Sequence, residues 1–433
     1  MNFLSIKEAM KKGSGKVAVR GWVHRERGSN KMKFIILRDS SDIIQIVLDR
    51  KDFEKQWNEI DSLQIESSLE IIGEIKKDER AQNGYEIKAK KLKIINLSHD
   101  FPINKSLNEE LLGDRRHLWL RSRKMIAIMK IRDTVLSTIR EHWRKKGFYE
   151  FNTPSIIGTQ CEGGSSLFKV DYFGKELYLA QTWQLHAEPG IFGLEKIFTI
   201  QPSFRAEKSK TSRHLTEYWH AEMEVAWENF EYLQNDAEEL VKEVVKTVLE
   251  KNKGELETLK RDKNKLTPTI KKKFPRISYT ESLKILKNKS DMAIKWAKDL
   301  RTIEEDKLSE LYETPIIITD YPKKVKAFYM KESEKHPKEG KTVLGFDMIG
   351  PEKYGELIGA SQREENIQKL KENLKVSGEN PEKYEFYFDT RRYGSVPHGG
   401  YGLGVERLVA WICGLSTVKD AIPYPRTMTR FYP

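Results

Sequence analysis

Three cationic or potentially cationic side chains, Arg205, Arg213 and His214, fall within ten residues of one another. They lie in the stretch that opens Phe204-Arg205-Ala206-Glu207 and closes Arg213-His214-Leu215-Thr216-Glu217-Tyr218. Guanidinium groups present paired N–H donors that match phosphate oxygens. Glu207 and Tyr218 suit a nucleobase, the first by a hydrogen bond to its edge and the second by stacking on its face. On residue types alone, a charged β-hairpin on a basic protein explains the stretch more simply. Two familiar phosphate signatures are incomplete elsewhere. Gly13-Ser14-Gly15-Lys16 lacks the first glycine of a phosphate loop and has Val17 where Ser or Thr belongs, and Gly400-Tyr401-Gly402-Leu403-Gly404 lacks dinucleotide-binding spacing.

The elements that must carry these residues fall into two patterns. In the first hundred residues, Val17–Arg25, Lys33–Arg38 and Asp42–Leu48 are short β-branched runs separated by turn residues. A polar, helix-compatible piece follows at Asp52–Leu63, then two more runs at Ser68–Lys76 and Tyr85–Asn96. Three strands, a helix and two strands is the order of a small OB barrel, with a generic β-sandwich as the alternative. Residues 98–115 carry no clear period and read as a hinge. The period then turns helical, with Met125, Ile128, Met129, Val135, Leu136, Ile139 and Trp143 on one face and Gly147 as the stop. Strand-like runs alternate with polar loops from Phe168 to Val225, Asn229–Asn252 is an amphipathic helix, and Lys253–Lys273 reads as a solvated, Lys-rich loop.

Composition bounds the function. The 433 residues suit two domains, 38% are hydrophobic, and the formal charge is +12. Excess Lys and Arg points to an anionic partner, nucleic acid ahead of membrane, or to a surface kept soluble by charge. Cys161 and Cys413 have no paired spacing, so neither a zinc site nor a disulfide framework is expected. No apolar run reaches 18 residues and no signal core opens the chain, so a cytoplasmic protein with no membrane contact is expected.

Phe204-Arg205-x-Glu207 with Arg213-His214-x-x-Glu217 resembles motif 2 of the class II aminoacyl-tRNA synthetases. Its Arg-His-Leu-Thr-Glu form is that of the archaeal and eukaryotic aspartate/asparagine branch, which also includes the lysine enzymes. His398-Gly399-Gly400-Tyr401-Gly402-Leu403-Gly404-Val405-Glu406-Arg407 resembles motif 3, and the helix before Gly147, with the segment through Pro154, resembles motif 1, which forms the dimer interface. The resemblance implies an α+β protein. An N-terminal five-stranded OB barrel (1–97) and the hinge (98–115) precede a catalytic domain (116–433) built on an antiparallel β-sheet flanked by helices. That domain carries a helical, Lys-rich insert at about 230–340.

The resemblance further implies a two-step reaction, in which the amino acid carboxylate attacks the ATP α-phosphate and the aminoacyl group then passes to the 3′ end of tRNA. Arg205 would neutralise the α-phosphate, and His214 and Arg407 would hold the β- and γ-phosphates with Arg213 nearby. Tyr218 would stack the adenine, Glu207 would meet its edge, and Gly404 belongs to the ATP-binding strand. Asp347 and Glu356 match the carboxylates that hold Mg²⁺ between phosphates. Aspartyl members have a serine three residues after that glutamate, where this chain has Gly359.

For the amino acid, Glu162 begins a Glu-Gly-Gly run like the loop that closes over the substrate. Glu222 lies where an acid faces the amino acid, and Arg363 matches the arginine that binds the side-chain oxygen. Aspartyl members add a lysine in a Gln-Ser-Pro-Gln-Leu-x-Lys run, for which this chain has Gln181-Thr182-Trp183-Gln184-Leu185-His186. Gln184 and His186 are therefore expected in the pocket, His186 with Arg363 replacing a lysine–arginine pair. One fewer fixed positive charge favours L-asparagine over aspartate, and hence tRNA(Asn) as the partner. In the barrel, Phe34 would stack an anticodon base, Gln45 would read the middle base, and Arg25 and Arg27 would meet phosphate or base; a core aromatic is the alternative for Phe34. Three other readings bear on the same residues. An aspartyl enzyme would restore the lysine. A derived asparagine synthetase would lack the OB domain, and an inactive RNA-binding paralogue would lack Arg205, Glu356 and Arg407.

Overall fold

The computed structural model describes residues 2–104, 107–159, 161, 167–208 and 211–433. The chain forms two compact units, Met1–Leu112 and Gly113–Pro433.

In the first unit, helix α1 (Ile6–Lys12) precedes strands β1 (Gly15–Gly28), β2 (Met32–Arg38) and β3 (Ile43–Asp49). After the short helix α2 (Trp57–Asp61) come β4 (Ser68–Lys77) and β5 (Tyr85–Asn96). The five strands close into a barrel in the order β1-β2-β3-β5-β4, sealed by parallel pairing of β3 with β5. Alternation makes this possible: Val17, Val19, Val23, Ile35, Leu37, Ile44 and Ile46 point inward and are buried, while their neighbours face out. Helix α1 was not anticipated, although its signal is in the sequence. The Ser5 hydroxyl accepts from the Glu8 N–H and the Glu8 carboxylate accepts from the Ser5 N–H, a capping box.

The second unit is built on an eight-stranded sheet. Its strands are β6 (Tyr149–Glu150), β10 (Lys196–Phe204), β11 (Glu217–Ala226), β12 (Arg276–Ser278), β13 (Ile316–Thr319), β14 (Gly345–Gly350), β15 (Gly355–Gln362) and β16 (His398–Gly404). Their spatial order is β12-β13-β14-β15-β16-β11-β10-β6, so the last strand of the chain sits between two earlier ones. The six central strands are antiparallel as expected, but β12 with β13 and β6 with β10 pair in parallel, so the sheet is mixed at both edges. A small separate sheet holds β7 (Ile156–Ile157), β8 (Lys169–Tyr172) and β9 (Lys175–Leu179).

Of the helices, α3 (Glu109–Asp114) lies in the stretch read as a hinge, and α4 (Arg116–Trp119) follows. Helix α5 (Arg123–Lys145) buries Met125, Ile128, Val135, Ile139 and Trp143 from its expected face, with Met129 and Leu136 half-buried at its margin. Helix α6 (Gln184–Leu194) interrupts a region read as strands and loops; Pro189 and two glycines hid it. Beyond α7 (Phe230–Lys251), the Lys-rich stretch is α8 (Lys253–Thr258) and α9 (Thr267–Lys271), not a solvated loop. Its lysines face out, while Leu256 and Leu266 are fully buried. Nor is the insert only helical. Besides α10 (Tyr279–Ser290) and α11 (Thr302–Ser309), it supplies β12 and β13, because the apolar run Ile316-Ile317-Ile318 extends the sheet. Helices α12 (Ile367–Val376), α13 (Glu385–Arg392) and α14 (Val405–Cys413) complete the unit.

Candidate active site

Strand β11 explains how one face becomes chemical. Its residues Tyr218, His220, Glu222 and Glu224 alternate and so project from the same side of the sheet. Across from them, β16 pairs Gly404 with His220, Gly402 with Glu222 and Gly400 with Glu224. A Cβ on Gly402 would lie 2.4 Å from the His220 ring, and one on Gly400 would lie 2.5 Å from the Glu224 carboxylate. The glycine run therefore serves space: it leaves room for polar side chains from the neighbouring strand.

Two cavities open on this face. The first, about 630 Å³, is lined by Arg205, Arg213, His214, Tyr218, Glu356, Gly404 and Arg407, among others. These are seven of the eight residues expected to bind ATP. Arg205 stands over the Tyr218 ring, 5.5 Å from its centroid. Arg407 donates to the Glu356 carbonyl oxygen. Burial lowers the pKa of His214, and the nearby Arg407, Arg205 and Arg213 add to the shift against the opposing pull of Glu207. Glu207 is exposed, 3.9 Å from the His214 ring, and does not line the cavity. In the cavity lining, Glu406 pairs with Arg132 at 2.7 Å and accepts from the Trp219 N–H, which ties α14 to both α5 and β11.

The second cavity, about 980 Å³, contains Gln184, Glu222, Glu224, Arg363, Asp347 and Glu356. Arg205, His220, Glu356 and Gly402 line both cavities, so Arg205 stands at their junction. The Glu222 carboxylate accepts from the Thr182 hydroxyl and from the Trp183 N–H. Burial opposes its charge, but His220 and these hydrogen bonds hold it below the usual carboxylate range. Arg363, 4% exposed, bonds the Glu224 carboxylate through two nitrogens. Burial pushes Glu224 up to about 8 even with Arg363 pulling the other way and Glu188 adding repulsion.

Asp347 and Glu356 converge over Gly359, whose Cβ position lies 2.9 Å from a Glu356 oxygen and 4.0 Å from an Asp347 oxygen. The space a serine would take there is filled by the Glu356 carboxylate. Burial lifts Asp347 to about 6, with Glu356 adding repulsion against the pull of Lys326. Lys326, 2.6 Å from Asp347, and Asp299 also line the cavity. Sequence reasoning missed these two, and the stretch around them gave no periodicity to place them. Glu224 was missed as well, though its alternation with Glu222 was a legible signal.

His186 requires a correction. It does not line either cavity; its ring stacks on Phe386 at 5.2 Å, and burial lowers its pKa. The helix explains why: two residues on from Gln184 is about 200° around the axis. The lysine of Gln-Leu-x-Lys stands three residues after the glutamine, so its counterpart here is Ala187, buried against Trp183 and Ile191. Trp183 itself turns away from the cavity, donating to the Phe151 carbonyl. Glu162 lies outside the described residues.

In the barrel unit, Arg25, Arg27, Phe34 and Gln45 share the outward face of β1, β2 and β3. Phe34 lies on the opposite face from buried Ile35 and Leu37, so it is not a core aromatic. Arg27 pairs with it across the strands and stands over its ring at 5.4 Å. Gln45 donates to Glu86 at 3.0 Å.

Comparison with known proteins agrees with this geometry. Residues 108–428 match the family model described as tRNA synthetases class II (D, K and N), and residues 17–95 match the OB-fold nucleic acid binding domain. The asparagine–tRNA ligase of Thermococcus gammatolerans is 46% identical over 418 residues, 96% of each chain. That of Thermoplasma acidophilum is 44% identical over 433 residues, covering 99% of this chain and all of that one. A crystal structure of asparaginyl-tRNA synthetase from Pyrococcus horikoshii, complexed with asparaginyl-adenylate, superposes with a TM-score of 0.95 at 42% identity over the whole of both chains. With that coverage and those shared elements, the chain belongs to the class II tRNA synthetases of the D, K and N group.

Proposed function

We propose that this protein is an asparagine–tRNA ligase: it activates L-asparagine with ATP and transfers the asparaginyl group to the 3′ end of tRNA(Asn). One observation carries the choice of amino acid. Arg363 and Glu224 lie side by side in the second cavity, a fixed donor next to an acceptor. A carboxamide presents the complement, an oxygen that accepts from Arg363 and an NH₂ that donates to Glu224. An aspartate carboxylate satisfies Arg363 but, wherever Glu224 is ionised, faces it with a second negative charge, and an unmatched buried charge is costly.

ATP would occupy the first cavity, with Tyr218 against the adenine and Arg407, His214 and Arg213 at the phosphates. Arg205, at the junction, meets the α-phosphate where the asparagine carboxylate attacks it. Catalysis is then positioning and charge neutralisation, and no nucleophilic side chain is required. Asp347 and Glu356 fit Mg²⁺: both are hard oxygen donors, they converge over Gly359, and their repulsion is relieved by a cation. When bound, that ion would supply positive charge to neutralise the phosphates.

Arg25, Arg27, Phe34 and Gln45 form the surface we assign to the anticodon, by stacking and hydrogen bonding to unpaired bases. Glu162 is proposed at the α-amino end of the substrate on resemblance alone. Two copies of the chain would pair through α5, where Leu120, Ile126, Met129 and Pro423 form an open apolar face. No helix of the described residues is long and apolar enough to cross a membrane; the cytoplasm is the place we assign to the protein because its tRNA substrate is there.

ATP–pyrophosphate exchange with each amino acid in turn, followed by charging of tRNA(Asn), tests this. Exchange with asparagine far above aspartate is expected. Equal exchange, or preference for aspartate, overturns the reading.

A further inference from the structure

Behind Arg363 lies a charged group that the reaction does not touch. Glu188, on α6, is 0% exposed, yet every side of its carboxylate is met. From its own helix, Gln184 donates to it at 3.0 Å. From α13, Tyr387 donates at 2.8 Å and Arg391 lies at 2.7 Å. From β16, the His398 ring lies at 3.2 Å, and from the end of β15 the Arg363 guanidinium approaches to 3.8 Å. Burial opposes the charge on Glu188, but Arg391, His398 and Arg363 together hold it well below the usual range.

Two carboxylates, Glu188 and Glu224, thus meet two guanidiniums, Arg363 and Arg391. The set is balanced before any substrate arrives. It stands on the helix where aspartyl relatives place a lysine, one residue beyond the counterpart position Ala187. We infer that Glu188 is a specificity-determining positioning residue: from behind Arg363 it limits the positive potential offered to the substrate side chain, and so sets the preference for asparagine over aspartate. This rests on the asparagine reading above.

The reasoning is electrostatic. With Glu224 ionised, above about pH 8, the four groups balance, so an incoming carboxylate makes the pocket net negative, whereas a carboxamide leaves it neutral. Take away the Glu188 charge and the pocket gains a positive excess that a substrate carboxylate completes. Take away the Arg391 charge and the excess is negative, which excludes a carboxylate more strongly. Glu188 also holds the Gln184 amide nitrogen, while that side chain's oxygen accepts from the Cys161 thiol. Losing that hold weakens both amino acids together and cancels in their ratio.

The test measures kcat/KM for asparagine and for aspartate in ATP–pyrophosphate exchange at about pH 9, where Glu224 is ionised, on the full chain and two variants. Glu188→Gln should raise the aspartate-to-asparagine ratio by about tenfold or more, the scale of one unit charge at partly screened range. Arg391→Gln should lower the same ratio. A structural loosening moves the ratio in one direction for both variants, or not at all, and either result overturns the inference. If one variant does not fold, Glu188→Asp takes its place: with the charge kept, the ratio should stay near that of the unaltered protein, and a shift as large as the charge-removing variant's overturns the inference. The unaltered protein is the control for the underlying reading: if it prefers aspartate, the asparagine assignment fails. If it prefers asparagine and the variants leave the ratio unchanged, only the role of Glu188 fails.

Discussion

Arg213 donates to Asp306 across 2.6 Å, so a cation at the phosphate end of the first cavity is held by α11, a helix of the inserted segment. Its other terminal nitrogen, Nη1, is buried without a hydrogen-bond partner and lies beside Gly355. One nitrogen is anchored and the other is left for a phosphate oxygen. Asp306→Ala should therefore raise the KM for ATP roughly fivefold, about 1 kcal/mol for a partly exposed charged hydrogen bond, and leave the KM for asparagine unchanged. An unaltered ATP KM would mean that Arg213 needs no anchor.

Arg205 is the side chain shared by both cavities that can meet charge developing at the α-phosphate. Arg205→Ala should slow adenylate formation by about 10²–10³, the usual loss for one such donor, with tRNA binding retained. Exchange at the normal rate would remove Arg205 from that role.

The amino acid preference should depend on pH through Glu224, pushed up to about 8 chiefly by burial. Above that value the carboxylate is charged, accepts from a carboxamide and repels a carboxylate. Below it the added proton lets Glu224 donate to aspartate. Discrimination against aspartate is expected to weaken as pH falls from about 9 to about 6, a window set by that shift. His186 plays no part, because its ring stacks on Phe386 and does not line the cavity. A flat ratio across this range would show that Glu224 does not read the side chain.

In the barrel, Phe34→Ala should weaken charging of tRNA(Asn) by roughly 1–3 kcal/mol, the loss of one base stack, and leave tRNA-independent exchange intact. The ring lies on the outer face, so the substitution creates no core cavity. A normal tRNA KM would place the anticodon elsewhere.

How much of this was legible follows from what each residue depends on. The barrel strands emerged within three residues at their ends, because alternation of Val and Ile with polar residues is a local property. The ATP residues were legible because resemblance ties them to a short, ordered motif. The second cavity was less so. Arg363 and Glu222 came from resemblance, but Lys326 and Asp299 arrive from an insert whose path only tertiary packing sets. His186 failed for a countable reason: a helix turns about 100° per residue, so a neighbour of a pocket residue in sequence is seldom one in space. Helix α8 was missed because it is six residues long within a Lys-rich stretch, and Leu256 alone of its side chains is buried.

That last point is checkable. Leu256 is fully buried, so Leu256→Ala should destabilise the second unit by about 2–5 kcal/mol, read from denaturant unfolding. A solvated loop would lose almost nothing.

Strand β16 sits between β15 and β11, yet it is made after both. Until β16 has been synthesised, no strand is available to join β14–β15 to β10–β11, and the facing edges of β15 and β11 lack their partner. The two cavities straddle the place of β16, with Glu356 and Arg363 coming from one side and Arg205, Glu222 and Glu224 from the other. Neither substrate site exists until the glycine-rich strand is threaded between them. The nascent protein is inert, and its open edges are most exposed to misassociation, until nearly all of its residues have been synthesised.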